Sequence, residues 1–205
     1  MQTPPAAPVL TPAAQRVLDA ASELFYERGI HAVGVDLVAE TAGVTKKTLY
    51  ARFGSKDALV VAYLQGRDRR WREFLDGFVA GSEATGLDRP LLVFDAAAAW
   101  SDDHSPRGCA AINARAETAD LSDPIAQEVT RQKVWQLGVF AELCREAGVA
   151  DPEGVAQMLM LFYEGAIVTV GTATFSEPFA VARAAGREIL ARAAGAGRDA
   201  QATQA

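Results

Sequence analysis

Apolar residues recur along this chain at helical spacing rather than in alternation. Val17, Ala21, Leu24 and Phe25 stand at i, i+4, i+7 and i+8, which predicts a first helix over residues 12–28. Thr11 and Pro12 mark its start, a hydroxyl cap followed by a residue whose missing N–H is no loss in the first turn, and Gly29 ends it. A second helix is expected from Asp36, as a cap or first-turn acid, to Ala42, with Gly43 free to take the positive φ of a sharp turn. A third follows Thr45 and ends near Phe53 and Gly54. Ser55 caps a fourth, whose stripe Leu59, Tyr63, Leu64, Trp71, Phe74, Leu75 and Phe78 continues to about residue 80. At 1.5 Å per residue this helix is roughly 37 Å long, enough to join two domains.

Gly77, Gly81 and Gly86 loosen the pattern before Arg89 and Pro90, where a fifth helix is expected to start and run to Trp100. The SDDHSPRGC segment, 101–109, reads as a loop, and 110–119 as a short helix. Pro124 opens a longer one, with Val134, Leu137, Ala141 and Cys144 on one face and Gly148 as its stop. Asp151 and Pro152 open the next, through Met158, Leu161, Phe162, Ile167 and Val168 toward Phe175. Glu177 and Pro178 open the last, with Phe179, Ala182, Gly186, Leu190 and Ala193 along one side. The chain therefore reads as all-α, with about nine helices and no internal repeat. Residues 1–10 read as a loose, disordered arm, and 195–205 as a frayed, disordered tail.

Composition agrees with a folded protein: half of the 205 residues are hydrophobic and 22% are charged. The longest apolar run, Leu159 to Phe175, is broken by Glu164 and by Gly and Thr, and falls short of the ~20 apolar residues of a membrane span. The N-terminus lacks the cationic start of an export signal, so a cytoplasmic protein without a membrane partner is expected. Cys109 and Cys144 are too few for a metal cluster and read as buried small apolar residues, with redox sensing at Cys109 as the alternative.

Charge changes the picture. The formal net charge is −6, yet after Gly43 the stretch AETAGVTKKTLYARFGSKDAL, 39–59, carries Lys46, Lys47, Arg52 and Lys56 with no acid before Asp57. Helix, glycine-bearing turn, helix is the arrangement of a DNA-binding helix-turn-helix, whose second helix lies in the major groove. Ala39 is small where the helices approach, and Val44 and Leu49 supply apolar contacts back toward Leu37 and Val38. Thr45, Lys46, Lys47, Thr48, Tyr50 and Arg52 are left to face outward, and a polyphosphate duplex is a partner such cations can neutralise. Lys46, Lys47 and Thr48 are expected at base edges, and Tyr50, Arg52 and Lys56 mainly on the backbone. A plain helical hairpin with a solvated cationic face has the same spacing, and the residues alone leave that reading open.

The segment from about Thr11 to Leu64, above all GVTKKTLYARFGSKDAL, resembles the N-terminal DNA-binding domain of TetR-family transcriptional regulators. Gly43, Val44, Thr48, Leu49, Tyr50, Phe53, Ser55, Lys56 and Leu59 match that family's run G-V-S-x-G-T-L-Y-x-H-F-x-S-K-E-x-L in order and spacing. Lys47 stands where the family often has Gly, and Arg52 where it often has His. The SPRGCAAINARAE run from Ser105 also looks like a segment of many members' second domains.

The resemblance implies a helix-turn-helix domain over 11–56, a connecting fourth helix over 55–80, and a larger ligand-binding and dimerisation domain over 57–194. It further implies a homodimer formed by the last two helices, with Gly165, Gly171, Phe179, Ala182, Gly186 and Leu190 at the contact, which would present two half-sites to a palindromic operator. A small-molecule pocket is implied among helices four to eight, lined by Phe78, Phe94, Trp100, Cys109, Asn113, Trp135, Phe140, Met158, Phe162 and Tyr163; an aromatic and methionine set at helical spacing is more often a plain core. Repression relieved by a ligand is the family's commoner outcome, and no cofactor or metal is implied.

Two other classes compete. An enzyme would need a catalytic constellation, and only His31 and His104 exist, with no phosphate loop or nucleophile elbow; Asp102, Asp103, His104 and Cys109 could be drawn together as a metal site. A helical interaction protein would use the arginine-rich run 67–72 as its docking surface.

Overall fold

The computed structural model of the chain describes residues 10–104 and 107–202, with side chains described for all of these except 103 and 196–202. The expected loose arm, apart from Leu10, lies outside the described residues, as do the last three residues of the tail. Nine α-helices and no strand occur among the described residues. They are α1 (Pro12–Arg28), α2 (Val35–Thr41), α3 (Lys46–Phe53), α4 (Lys56–Ala80), α5 (Leu92–His104), α6 (Ala110–Ala116), α7 (Pro124–Glu146), α8 (Pro152–Thr172) and α9 (Pro178–Ala202), with a 3₁₀ turn at Gly86–Asp88.

Most helix ends follow from local chemistry. The Thr11 hydroxyl accepts the Ala14 N–H at 3.3 Å and Pro12 opens α1. The Ser55 hydroxyl accepts from Ala58 at 3.0 Å, and the Asp151 carboxylate from Gly154 at 3.0 Å. Three ends differ from the expectation. Pro90 precedes the 3₁₀-linked start of α5 at Leu92, and α5 runs on through the polar 101–104 segment to His104, because Trp100 and Ser101 are buried and hold that turn in place. In α9 the helix continues past Gly195 to Ala202, since the run beyond it has good helix formers and no proline. Asp36 is a first-turn acid of α2, one of the two roles expected for it.

By packing, the chain forms two compact units. One comprises residues 10–70 together with 110–132, so it takes in α1 to α3, the first part of α4, α6 and the start of α7. Its core unites Val17, Ala21, Leu24 and Phe25 of α1 with Val38, Ala39, Leu49, Leu59, Val60, Tyr63 and Leu64, and the rings of Phe25 and Tyr63 lie 6.0 Å apart. Each fully buried leucine here contributes roughly 1.5–3 kcal/mol. Ala110, Ala114, Ile125, Ala126 and Val129 are the buried apolar side chains of α6 and α7 in this unit. Beside them two buried carboxylates, Asp68 and Glu128, share the guanidinium of Arg131 at 2.8 and 2.6 Å.

The other unit comprises 71–109 and 133–202, and holds the larger apolar core. Leu75, Leu91, Phe94, Phe140, Leu143, Leu159, Tyr163, Phe179 and Leu190 are buried together. Gly186 is a spacing requirement: a Cβ there would meet Leu159 Cδ2 at 2.9 Å and Leu91 Cδ2 at 3.3 Å. By length and composition α8 could cross a membrane. It instead buries Leu159, Tyr163, Ala166 and Ile167 in the core and pairs its one central acid, Glu164, with Lys133 at 2.7 Å. Its opposite side is apolar yet exposed: Met158, Leu161, Phe162 and Val168 stand around Gly165, with Phe175 and Val181 exposed just beyond.

Candidate nucleic-acid interface

The helix-turn-helix is assembled in the first unit by contacts among α1, α2 and α3. At the turn, Gly43 takes φ +61°, a left-handed conformation that favours glycine, and the Val44 N–H reaches back to the Ala39 carbonyl at 3.0 Å. Arg16 of α1 donates from Nε to the Ala42 carbonyl at 3.2 Å, tying the first helix to the turn. Thr45 caps α3, its hydroxyl accepting the Thr48 N–H at 3.1 Å. Leu49 has no exposed surface, and it fixes which side of this eight-residue helix faces the core. A helix this short does not persist alone, so the packing of Leu49 sustains it.

That packing turns the other side outward. Thr45, Lys46, Lys47, Tyr50 and Arg52 are exposed and Thr48 is partly so, with Tyr50 40% exposed. A tyrosine left in water on an otherwise polar face carries an apolar ring and a hydroxyl available to a partner. Lys46 bridges to Asp36 of α2 at 2.8 Å, and that hydrogen bond with its charge holds the ammonium above the ordinary lysine range. Both partners are solvent-exposed, so the bridge is weak and can be exchanged for a phosphate. Lys56 is partly buried and donates to the Ile30 carbonyl at 2.6 Å, which spends one of its three donors inside the protein.

Sequence reasoning missed the residue that steadies the loop after α1. Glu117, just past α6, accepts the Ile30 N–H at 2.9 Å, the His31 N–H at 2.6 Å and His31 Nδ1 at 2.8 Å. Burial alone would raise this carboxyl, but the two backbone donors and the His31 ring outweigh it and hold Glu117 below the ordinary glutamate range. No local pattern marks it, because its partners lie 86 and 87 positions away.

The comparisons with known proteins agree with this geometry. Residues 17–63 match the family model described as bacterial regulatory proteins, tetR family. SCO4454 of Streptomyces coelicolor, a TetR-family transcriptional regulator, shares the fold with a TM-score of 0.81 and 28% identity, over 89% of this chain and 96% of that one. Residues 17–63 form a domain of the tetR family of bacterial regulatory proteins. Among curated relatives, the transcriptional regulator AcuR of Cereibacter sphaeroides is 27% identical over 92% of this chain and 90% of its own length. The HTH-type transcriptional activator FasR of Mycolicibacterium smegmatis is 52% identical over 50 residues, 24% of this chain and 23% of its own. The chain thus spans about a quarter of the length of that first relative.

In the second unit most of the expected pocket residues share one apolar core: Phe78, Cys109 and Trp135 pack against the cluster that holds Phe94, Phe140 and Tyr163, and Trp100 meets the Trp71 and Phe74 rings. Phe94 and Phe140 are sealed in the core, 5.6 Å apart ring to ring. Trp100 and Tyr163 are buried, while Phe78, Cys109 and Trp135 are partly so. Met158 and Phe162 lie on the exposed side of α8, and Asn113 belongs to the other unit. A cleft of about 460 Å³ opens beside Ala98, Ser101, Asp102, Val170, Glu177, Pro178, Phe179 and Ala180.

The expected dimer residues divide as well. Gly165 is exposed, but Phe179, Ala182, Gly186 and Leu190 are used by the core of their own unit, and Gly171 packs against the backbone of Arg107 and Gly108. The physical reason is that α9 turns its small-residue stripe toward α8 and α5 of the same chain.

The structure also decides what the arginine run does. Arg67 lies over the Tyr26 ring at 4.4 Å, and Arg72, 5% exposed, over the Trp135 ring at 4.0 Å. These two cations pack on aromatic faces within their own units, while Arg69 is partly exposed and Arg70 exposed. His104 stacks on Trp100 with ring centroids 4.0 Å apart.

Proposed function

We propose that this protein is a TetR-family regulator that binds a palindromic duplex operator as a homodimer, represses transcription there, and is released by a small-molecule ligand. The single observation that carries the DNA reading is the division of α3: Leu49 wholly inside, with Lys46, Lys47, Tyr50 and Arg52 outside on a rigid, capped helix. Cations on a narrow face neutralise phosphates and release condensed counterions, while the first turn of α3 reads base edges. Thr45, Lys46, Lys47 and Thr48 are assigned to the bases, and Tyr50, Arg52 and Lys56 to the sugar-phosphate backbone.

A second copy of the chain is assigned to the exposed apolar side of α8. Monomers rarely leave so much contiguous apolar surface in water, and Met158, Leu161, Phe162 and Val168 around Gly165 offer a flat face for a two-fold helix pair. This replaces the α9 residues of the contact set expected from sequence with the exposed side of α8, and keeps Gly165. Two recognition helices then address major grooves about 34–36 Å apart.

The ligand is assigned to the second unit, at the cleft beside Ser101, Val170 and Phe179 and the aromatic cluster of Trp71, Phe74 and Trp100. Residues 56–80 form one continuous helix, α4, so a ligand that prefers one placement of its second half alters the presentation of α3 by population shift. A ligand of this kind changes operator affinity only as far as its own affinities for the two states differ. A footprint of the protein on the DNA flanking its own coding region tests the proposal. A protected inverted repeat of two half-sites one or more helical turns apart supports it, and absence of protection anywhere in that DNA at modest salt contradicts it.

A further inference from the structure

We propose that Asp36 is a positioning residue for DNA recognition: its carboxylate holds the Lys46 ammonium as a directed hydrogen-bond donor to a base edge and withdraws it from the neutralisation of phosphates. The inference deepens the DNA reading above and rests on it. It names a residue outside α3 that sets how selectively the outward side of α3 binds.

The turn brings the two partners together. With Gly43 at φ +61° and the Val44 N–H bonded to the Ala39 carbonyl, the first turns of α2 and α3 come within side-chain reach, and Asp36 meets Lys46 across ten positions of sequence. Lys46 Nζ lies 2.8 Å from Asp36 Oδ1 and 3.0 Å from Oδ2. The backbone end of Lys46 is fixed as well, because it opens a capped turn in which the Thr45 hydroxyl accepts the Thr48 N–H at 3.1 Å and lies 2.9 Å from the Thr48 hydroxyl. A long, flexible side chain is thus held at both ends.

Charge explains why this lysine needs a partner and its neighbour does not share it. A cation in the first turn of a helix stands against the macrodipole, and α3 has no acid of its own there. Asp36 supplies one from α2. Lys47 and Arg52 are exposed and have no ion pair among the described residues. Of two adjacent lysines, one therefore meets the duplex already neutralised and the other meets it as a free cation.

A free cation that reaches a phosphate releases a condensed counterion and gains affinity for any sequence. The Asp36–Lys46 pair carries no net charge. A phosphate that takes the ammonium leaves a bare carboxylate at the duplex surface, so that exchange gains little. The ammonium has three donors, and one carboxylate does not exhaust them. The remaining N–H fits an acceptor in the major groove, guanine O6 or N7, which satisfies it without breaking the pair, whereas the amino group of cytosine opposes it. The carboxylate thereby trades affinity for every duplex against preference for the right one.

The experiment measures binding of the full-length protein by fluorescence anisotropy over a range of salt, to the operator duplex found by footprinting and to a scrambled duplex of the same length. It compares wild type, Asp36→Asn, Lys46→Ala and the double variant. The Asp36 side chain is 78% exposed, so its replacement is expected to leave the circular dichroism unchanged. Asp36→Asn is expected to steepen the salt slope on the scrambled duplex by about one, as the freed Lys46 takes up a phosphate, and to lower the ratio of operator to scrambled affinity about tenfold. With Lys46→Ala in place, Asp36→Asn is expected to change neither quantity. An acid that only stabilised the first turn of α2 would move the melting temperature and leave the slope alone. An unchanged slope or an unchanged ratio in Asp36→Asn overturns the proposal. The same changes in the Lys46→Ala background overturn it too, because the acid would then act by its own charge. Wild-type protein that binds neither duplex defeats the operator reading itself, and wild-type binding with a silent Asp36 defeats this inference alone.

Discussion

Glu117 accepts the backbone N–H of His31 at 2.6 Å, joining the segment after α6 to the loop after α1 across 86 positions of sequence. With the Ile30 N–H and the His31 ring, this carboxylate satisfies the donors of a loop whose next carbonyl partner is Lys56. The clamp lies wholly within the unit that carries the helix-turn-helix. It therefore bears on how firmly α1 and the start of α4 hold α3.

Glu117→Ala is expected to destabilise this unit by roughly 1–3 kcal/mol, the cost of leaving backbone donors without a partner. The pH dependence follows from the depressed carboxyl. Its contribution is fully present above the unfolded glutamate value of about 4.5 and is lost as pH falls through the lower folded value. Urea denaturation at pH 7 and in the acid range measures this. The wild type should lose stability on acidification by more than Glu117→Gln does.

Arg131 joins Asp68 and Glu128, each with a side chain only 5% exposed, while its own guanidinium is 45% exposed. Burial would raise Glu128, but hydrogen bonds from Arg131, Gln132 and Gln65 overcome this and hold it below its ordinary range. Removing the arginine leaves two buried carboxylates facing each other. Arg131→Ala is expected to cost about 2–4 kcal/mol, less than a wholly buried ion pair because water reaches the guanidinium. The triple change that also makes Asp68→Asn and Glu128→Gln should recover most of that loss in the same thermal melt.

Leu161 is the most exposed apolar side chain on α8, at 73%. Leu161→Glu is expected to convert a dimer to a monomer in sedimentation velocity while leaving the helical content unchanged, since the residue makes no core contact. A monomeric wild type, or a variant that stays dimeric, would remove α8 as the interface.

Much of this architecture is legible in the sequence where chemistry is local. Thr11-Pro12, Thr45, Ser55 and Asp151 each announce a helix start that the hydrogen bonds then bear out. Periodicity reads less well where both sides of a helix are apolar. On α8 and α9 it marks residues as lipophilic without saying which stripe faces its own chain, so Phe179 and Leu190 look as fit for a partner as Leu161. Periodicity is silent on long-range polar pairs as well. Glu117 with His31, and Lys133 with Cys109, join residues with no sequence relation, and only the fold brings them together.

The most direct test of the central claim, that the outward side of α3 is a DNA-binding surface, is the salt dependence of binding by the full-length protein to a duplex carrying its operator, measured by fluorescence anisotropy. The logarithm of affinity should fall linearly with the logarithm of salt, and Lys47→Ala with Arg52→Ala should reduce the slope by about one for each phosphate left without its cation. Tyr50→Ala should weaken binding with little change in slope. Wild-type binding with the same affinity and slope as the double variant, or no binding at modest salt, would contradict the account.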